Sequence, residues 1–391
     1  MMQAAGLGGR AGFRDRHGPI LYEYLSGLHA MLNLGQLVNT VQKNCHISDA
    51  RHAGDFTLCI FLLKMREFFR WENDIPFARD LPKEEVGAWL QEREGLWSDL
   101  EESPFESLQL EGQQLDPFDA DSVNRELIPQ GYVYSGGYGR FSKPHFFLGS
   151  LLKKEKRAGY TIYISACEYA RDLEAPPAML QGKTIYVRQE SVRRFLWEKI
   201  EEWRWNRKNE AMERALDCYS FDLDVNSALE RMTENETEAM ILHELGEGLA
   251  GEMLGDEWHR MISAFSRSKA EIMIRAVRDM LADCLSTLPA LLAANNTASL
   301  HFYFANFTGM RKYLFPEAIA AYQQWAREND IGVLRKLVDE SQHRWLDTAR
   351  TLLALYREKG QDAAAAIEHL LEPAASTDSP ACCPPKTASN S

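Results

Sequence analysis

Four acidic residues and a histidine are spaced so that they could hold and use a divalent metal ion. His243 and Glu247 are one helical turn apart, so their side chains share a helix face and could bind one ion together. Glu244 is offset around the same helix, where it could act as a general base on a metal-bound water. Asp279 and Asp283 are again one turn apart, so Asp279 could complete the metal shell while Asp283 orients the His243 ring. This pattern predicts a metal site between two helices.

Three stretches of the sequence, taken in order, resemble the metal site of zincin metallopeptidases. Residues 240–247, Met-Ile-Leu-His-Glu-Leu-Gly-Glu, resemble the active-site helix, whose family pattern is H-E-x-x-H. Residues 182–188 resemble the edge strand that precedes this helix in gluzincins such as the CAAX prenyl proteases. Residues 279–283, Asp-Met-Leu-Ala-Asp, resemble the downstream E-x-x-A-D helix, which supplies the third ligand and an orienting aspartate. The resemblance is limited to roughly residues 180–290.

The resemblance implies a metal-dependent hydrolase, such as a divergent peptidase acting on a protein or peptide substrate. It implies that His243, Glu247 and Asp279 are the ligands of a divalent metal. Glu244 would be the general base, and Asp283 would orient His243. The family has a second histidine where this chain has Glu247, and a glutamate where it has Asp279. One imidazole with two carboxylates is a hard ligand set, which suits iron or manganese better than tetrahedral zinc.

The same helix is also compatible with a protein that binds no metal. Glu244 and Glu247 can form a solvated face, and His243 can be a half-buried histidine whose hydrogen bonds are satisfied. A glycine within a helix costs about 1 kcal/mol relative to alanine, so several of them indicate close packing against another backbone. This helix has three: Gly246, Gly248 and Gly251. The alternative function is a non-catalytic helical binding or assembly protein that retains a zincin-like scaffold.

A carboxylate-rich iron oxidase is the third interpretation, because acid–histidine pairs occur at the i, i+3 spacing of di-iron bundles. The pairs are Asp49/His52, Asp256/His259 and Glu340/His343. Only Glu340/His343 has the glutamate that such sites use, and its neighbours are those of a solvated helix face.

An aromatic segment, His-Phe-Tyr-Phe-Ala-Asn-Phe, follows the predicted ligand helix and begins at His301. His301 or Tyr303 could face an active site and stabilise an oxyanion there. Packing in the core is the alternative for both side chains.

The composition limits the partners and the compartment of the chain. Its net charge of −13 argues against nucleic acid and against an anionic membrane surface as partners. The longest apolar run, residues 58–63, is too short to span a bilayer, and residues 1–18 lack the apolar core of a signal peptide. The seven cysteines are scattered and odd in number, which is typical of reduced thiols. The sequence therefore predicts a cytoplasmic protein and leaves its oligomeric state open.

The elements that must position the candidate site form a predominantly helical α+β fold. Apolar periodicity predicts helices over residues 19–43 and 49–71, and a third helix from Pro82 to about Glu102. β-Branched and aromatic residues predict a small sheet, with a hairpin between its first two strands. The predicted strands are 145–149, 160–165 and 183–188.

The rest of the chain is predicted to be helical and contains the candidate metal helix. A capping box that begins at Thr233 predicts a helix to Leu254, and a second one at Ser268 predicts a helix through Leu292. Three more helices are predicted over residues 191–216, 316–329 and 331–359.

Five consecutive segments follow from these patterns. They are a disordered N-terminus (1–18), a helical layer (19–102), a linker or long loop (103–130), a zincin-like α+β domain (131–372) and a disordered tail (373–391). The linker is predicted because Pro, Gly, Asp and Gln replace helical periodicity there. The tail is rich in Ser, Pro and Ala and holds Cys382 and Cys383, whose role the sequence leaves open. Residues 135–143, rich in glycine, are predicted to be a flexible loop.

Overall fold

The chain divides after Trp197 into two units that differ in architecture. The first unit combines helices with a β-sheet, and the described part of the second is helical, so the fold is α+β and mainly helical, as predicted. The computed structural model describes residues 33–139, 142–205 and 207–372. The start of the first predicted helix, residues 19–32, and both predicted disordered ends lie outside these residues.

Three helices open the described part of the first unit. α1 continues past its predicted end at Lys43, because residues 44–49 are buried where the helix packs against the sheet. The third helix begins directly after Pro82, as predicted. The three helices are α1 (Leu34–His52), α2 (Leu58–Glu72) and α3 (Lys83–Leu100).

Residues 103–130 are folded, so the prediction of a linker or long loop was wrong. They form a two-stranded hairpin followed by a helix: β1 (Leu108–Leu110), β2 (Gln113–Leu115) and α4 (Ala120–Leu127). Leu108 and Leu110 are buried, and the Asp119 side chain caps α4 by accepting a hydrogen bond from the Ser122 amide at 3.0 Å. Three-residue strands are too short to give a periodic signal, which explains the error.

A five-stranded sheet forms the centre of the first unit, with the strand order β3-β4-β5-β7-β6. The predicted hairpin is confirmed as the antiparallel pair β4–β5, and β7 pairs with β5 in parallel. β3 and β6 were not predicted. The strands are β3 (Tyr132–Tyr138), β4 (Pro144–Arg157), β5 (Tyr160–Arg171), β6 (Ala178–Gln181) and β7 (Thr184–Arg188).

Two glycines of β3 belong to the stretch that was predicted to be a flexible loop. A Cβ atom at Gly136 would lie 2.0 Å from the main-chain oxygen of Pro117, so only glycine allows this close approach of two backbones. Gly137 pairs with His145 on β4. The glycines therefore serve packing within a strand, and the loop prediction was wrong for residues 135–138.

The core of the first unit lies between α1 and the sheet. Leu37 and Val41 of α1 pack in one cluster with Tyr134, Phe146 and Leu148 of β3 and β4. This shared core ties the N-terminal helices to the strands. The division after Trp197 therefore differs from the predicted boundary at residue 131, which separated those helices from the sheet.

Helices make up the described part of the second unit, and α5 crosses the division. The predicted helix over residues 191–216 is two helices, because the Asn209 side chain caps a new one by accepting a hydrogen bond from the Met212 amide. The helices are α5 (Gln189–Trp205), α6 (Glu210–Asp217), α7 (Val225–Leu254), α8 (Asp256–Ala264), α9 (Lys269–Ala282), α10 (Leu288–Ala293), α11 (Thr297–Ala305), α12 (Gly309–Leu314), α13 (Pro316–Glu328), α14 (Gly332–Lys359) and α15 (Ala364–Leu371).

One of the two predicted capping boxes is confirmed and the other was wrong. Ser268 caps α9, and its hydroxyl accepts a hydrogen bond from the Glu271 amide at 3.1 Å. α7 begins earlier than predicted, after Asp224, whose side chain accepts from the Asn226 amide. Thr233 therefore lies within the helix.

A π-helical turn, Asp283–Thr287, connects α9 to α10. The helix predicted to run from Ser268 through Leu292 is thus interrupted at the position of one candidate site residue. Among the described residues, no helix combines the length and the apolar character that crossing a bilayer requires.

Candidate functional site in the second unit

The candidate site is assembled where α7 packs against α9 and the π-helical turn. A Cβ atom at Gly246 would lie 2.3 Å from the main-chain oxygen of Ala282, so the two backbones approach too closely for any larger residue. At Gly251 a Cβ atom would meet nothing within 4 Å, so close packing explains Gly246 and not Gly251. The approach at Gly246 brings the predicted residues of both helices together.

His243 is held by Asp283, as the spacing predicts. The Nδ1 atom of the ring lies 2.8 Å from Oδ1 of Asp283, and the N–H at this position donates to the carboxylate. Burial alone would lower the pKa of His243, but the nearby charges of Asp283 and Glu247 raise it well above its ordinary value. The imidazole is therefore positively charged at neutral pH.

Asp283 is the centre of a hydrogen-bond network within this unit. It is 1% exposed and accepts hydrogen bonds from Tyr303 Oη at 2.9 Å, Arg311 Nη1 at 3.1 Å and Thr287 Oγ1 at 3.2 Å, besides that from His243. Burial raises the pKa of this carboxyl, but the positive charges of His243 and Arg311 outweigh that effect and hold it below its ordinary value. Asp283 thus ties α7, α11 and α12 to the π-helical turn.

Glu247 and Asp279, the two predicted carboxylate ligands, are bridged by an arginine. Nη2 of Arg278 lies 2.7 Å from Oε1 of Glu247 and 3.5 Å from Oδ1 of Asp279. The same Glu247 oxygen lies 3.6 Å from Nε2 of His243. Burial raises the pKa of Glu247, but His243 and Arg278 lower it to about 2, whereas burial leaves the pKa of Asp279 raised. The guanidinium supplies the positive charge that these carboxylates need.

A metal ion does not fit this arrangement as it stands. A ligand set of His243, Glu247 and Asp279 would place the ion between the two carboxylates, and the Arg278 guanidinium occupies that position. In the part of the chain that the structure describes, no group of three or more His, Cys, Asp or Glu side chains is arranged to hold a metal. The cluster neutralises its own charge through His243, Arg278 and Arg311.

The other predicted site residues differ in their relation to this cluster. Tyr303 belongs to it through Asp283. Glu244 is half-buried, and its charge acts on Arg278. His301 lies in an aromatic group instead: its ring stacks on Trp325 with centroids 4.6 Å apart, and its Nδ1 is 3.0 Å from Tyr322 Oη. Burial lowers its pKa to about 4. These contacts favour core packing for His301.

The pair proposed for a di-iron site lies on a solvated face of α14. Glu340 is exposed and forms a long ion pair with Lys336 at 3.9 Å. His343 is also exposed, and its Nδ1 lies 3.2 Å from the main-chain oxygen of Asp339. No inward convergence of carboxylates accompanies this pair among the described residues.

Sequence reasoning missed Arg278 and Arg311, which decide the electrostatics of the cluster. Arg278 directly precedes Asp279, so a basic residue beside three acidic candidates was a readable signal. Arg311 lies 28 residues beyond Asp283, and no local spacing connects the two.

Comparison with known proteins gives a family without a function. Residues 36–188 match the model of the N-terminal domain of a family of unknown function, DUF6866, and residues 193–374 match the model of its C-terminal domain. No curated protein and no solved structure matches the chain significantly. The two models follow one another in the expected order, with a boundary close to the division after Trp197, and together they account for most of the sequence. The chain therefore belongs to the DUF6866 family.

Proposed function

We propose that this chain is a non-catalytic helical protein with a binding or assembly function, whose second unit has a zincin-like pair of helices and no metal. The observation that carries the proposal is Arg278, which bridges Glu247 and Asp279 at 2.7 and 3.5 Å. A divalent ion and a guanidinium would compete for the same carboxylates. The arginine is part of the chain and is always present, so it meets this requirement without a cofactor.

The energetics of the pairs favour a structural role. The side chains of Arg278 and Glu247 are only 16% and 19% exposed, so their ion pair is shielded from solvent. Removal of one partner from a buried pair typically costs 3–5 kcal/mol, roughly, because the other charge is left uncompensated. The arginine thus makes α7 and α9 depend on each other for stability.

A thermal unfolding experiment with a chelator tests the proposal. Wild-type protein and Arg278→Gln are melted with and without EDTA, and Arg350→Gln serves as the matched control. Arg350 forms an exposed i, i+3 pair with Asp347 on α14. We expect a fall in Tm for Arg278→Gln alone and no effect of EDTA on the wild type. A wild-type Tm that falls on addition of EDTA would contradict the proposal.

Metal-dependent hydrolysis is the second candidate function. It is favoured by His243, whose side chain is 31% exposed, whose ring is oriented by Asp283, and whose Nε2 lies 3.6 Å from Glu247. Arg278 would have to release Glu247 before zinc, iron or manganese could use that carboxylate. In this case Glu244→Gln would retain the fold and lose turnover by about 10²-fold or more. Absence of cleavage on a broad panel of peptides and esters by wild-type protein loaded with each metal would reject the candidate.

A further inference from the structure

Arg171, at the end of β5, is a buried guanidinium with almost no hydrogen-bond acceptors. The residue is 1% exposed. Its only printed side-chain hydrogen bond runs from Nη2 to the main-chain oxygen of Glu67 at a long 3.4 Å, and its Nε has no acceptor. It forms no ion pair with any carboxylate of the described residues. A guanidinium carries five N–H donors, so most of its hydrogen-bonding capacity is unused.

Aromatic rings cover the planar surface of this guanidinium. The Cζ atom of Arg171 lies 4.8 Å from the centroid of the Trp71 ring and 5.4 Å from that of Phe68. Such contacts stabilise the positive charge through the ring quadrupole. They do not accept hydrogen bonds from the N–H groups at the edge of the guanidinium. The aromatic contacts therefore hold Arg171 in place and leave its donors available.

Two more arginines add positive charge around Arg171. Burial and the charge of Arg194 on α5 lower the pKa of Arg171 to about 10, and Arg188 at the end of β7 contributes in the same direction. Arg188 stacks on Phe147 with its Cζ 4.6 Å from the ring centroid, and its Nε has no acceptor. Arg194 donates to the main-chain oxygens of Glu174 and Ala175.

The nearby carboxylates are occupied elsewhere. Glu168 is buried, pairs with Arg188 and accepts hydrogen bonds from the amide and the hydroxyl of Ser191 at 3.1 and 2.6 Å. Glu190 accepts from the Glu168 amide at 2.7 Å. Three guanidinium groups therefore face two carboxylates, and Arg171 is paired with neither. Buried charges without partners are costly, which indicates that an acceptor is missing here.

The position of these arginines in the fold is typical of a ligand site. Arg171 and Arg188 end the parallel strands β5 and β7, and α5 begins directly after Arg188. Ligands of α/β sheets commonly bind beyond the carboxyl ends of parallel strands, beside the start of the following helix. Arginine is also the residue best suited to bind the planar or tetrahedral oxygens of an oxyanion with two parallel hydrogen bonds.

We propose that Arg171, together with Arg188 and Arg194, binds a small oxyanion through a carboxylate or phosphate group. The anion accepts the free N–H donors of Arg171 and Arg188 and neutralises the excess positive charge. This site lies within the first unit and does not depend on the function proposed for the second.

Equilibrium dialysis of the full chain against inorganic phosphate tests the site directly, with acetate as a second arm that distinguishes phosphate from carboxylate. We expect saturable binding of at least one of the two anions by the wild type, and a rise in Tm on its addition at constant ionic strength. Arg171→Met should reduce the affinity on the order of 10-fold or more. Arg66→Met is the matched control, because Arg66 lies on α2 beside the same Glu67 and is 38% exposed.

The stability of the variants provides a second readout in buffer without either anion. Arg171→Met removes a charge that has no partner, so its Tm should equal or exceed that of the wild type. Arg171→Lys retains the charge but not the fork of donors, and should bind the anion more weakly than the wild type if the methionine variant does not fold. Wild-type protein that binds neither anion, or an Arg171→Met protein with wild-type affinity, would overturn the proposal.

Discussion

Nη2 of Arg278 lies 2.7 Å from Oε1 of Glu247, so a residue of α9 neutralises the carboxylate that follows His243 by one turn on α7. The same guanidinium is 3.5 Å from Asp279. This arrangement places a permanent cation where the sequence pattern predicts a divalent metal. The predictions below test whether the cluster works as a structural network.

Arg278→Gln should lower the free energy of unfolding by about 2–4 kcal/mol, because Glu247 and Asp279 are left as neighbouring carboxylates without a cation. Arg350→Gln breaks an exposed pair on α14 and should cost less than about 1 kcal/mol. Chemical denaturation of both variants measures the difference. Equal losses in the two variants would show that the Arg278 pairs contribute nothing special.

Asp283→Asn should also destabilise the protein, by about 3 kcal/mol, because His243 and Arg311 then lose the buried carboxylate between them. Tyr303→Phe removes a single hydrogen bond to the same carboxylate and should cost only about 1 kcal/mol. Urea unfolding curves give both values. A larger loss for Tyr303→Phe than for Asp283→Asn would be inconsistent with a network centred on Asp283.

Gly246→Ala should be strongly unfavourable, since the new Cβ atom would lie 2.3 Å from the main-chain oxygen of Ala282. We expect a loss of about 1–3 kcal/mol from overpacking. Gly251→Ala is the control in the same helix, where nothing lies within 4 Å, and should stabilise by up to about 1 kcal/mol. Opposite signs for the two variants are expected in thermal melts. A neutral Gly246→Ala would mean that α7 and α9 do not approach as described.

Glu236, two turns before His243 on α7, should make stability depend on pH. The residue is 3% exposed, and burial raises its pKa from 4.5 to about 7, although a hydrogen bond from Ser299 opposes the shift. The folded chain keeps this proton up to neutral pH, whereas the unfolded chain loses it from about pH 4.5 upward. Stability from this group is therefore complete below about pH 4.5 and is lost as the pH rises to about 7, by about 3 kcal/mol.

Glu236→Gln should remove this part of the pH dependence, so the comparison with wild type is made between pH 4.5 and pH 8. Glu230→Gln, at an exposed position of the same helix, serves as the control. Parallel stability profiles for the wild type and Glu236→Gln would contradict the prediction.

The sequence predicts the meeting of His243 with Asp283 because helical spacing alone fixes which side chains share a face. It does not predict that Arg278 reaches Glu247, because that contact depends on how two helices cross. The start of α7 was misplaced for a local reason: the signal at Thr233 is the same as at a true cap, and only the Asp224 cap distinguishes them. Gly136 was misinterpreted because close backbone contact, rather than flexibility, requires a glycine there.

The first unit shows the same limit of sequence reasoning. Arg171 ends a predicted strand region, but nothing in its neighbourhood along the chain indicates that its partners are Trp71 and Phe68. These aromatic residues lie about a hundred residues away on α2. A buried arginine without a carboxylate is recognised only in three dimensions.

Elemental analysis of purified wild-type protein, prepared without metal-affinity chromatography, tests the central claim most directly. A cluster neutralised by Arg278 predicts zinc, iron and manganese each well below one ion per chain, with the same content in His243→Ala. One equivalent of a single metal in the wild type, lost in His243→Ala, would contradict the account and restore His243, Glu247 and Asp279 as ligands.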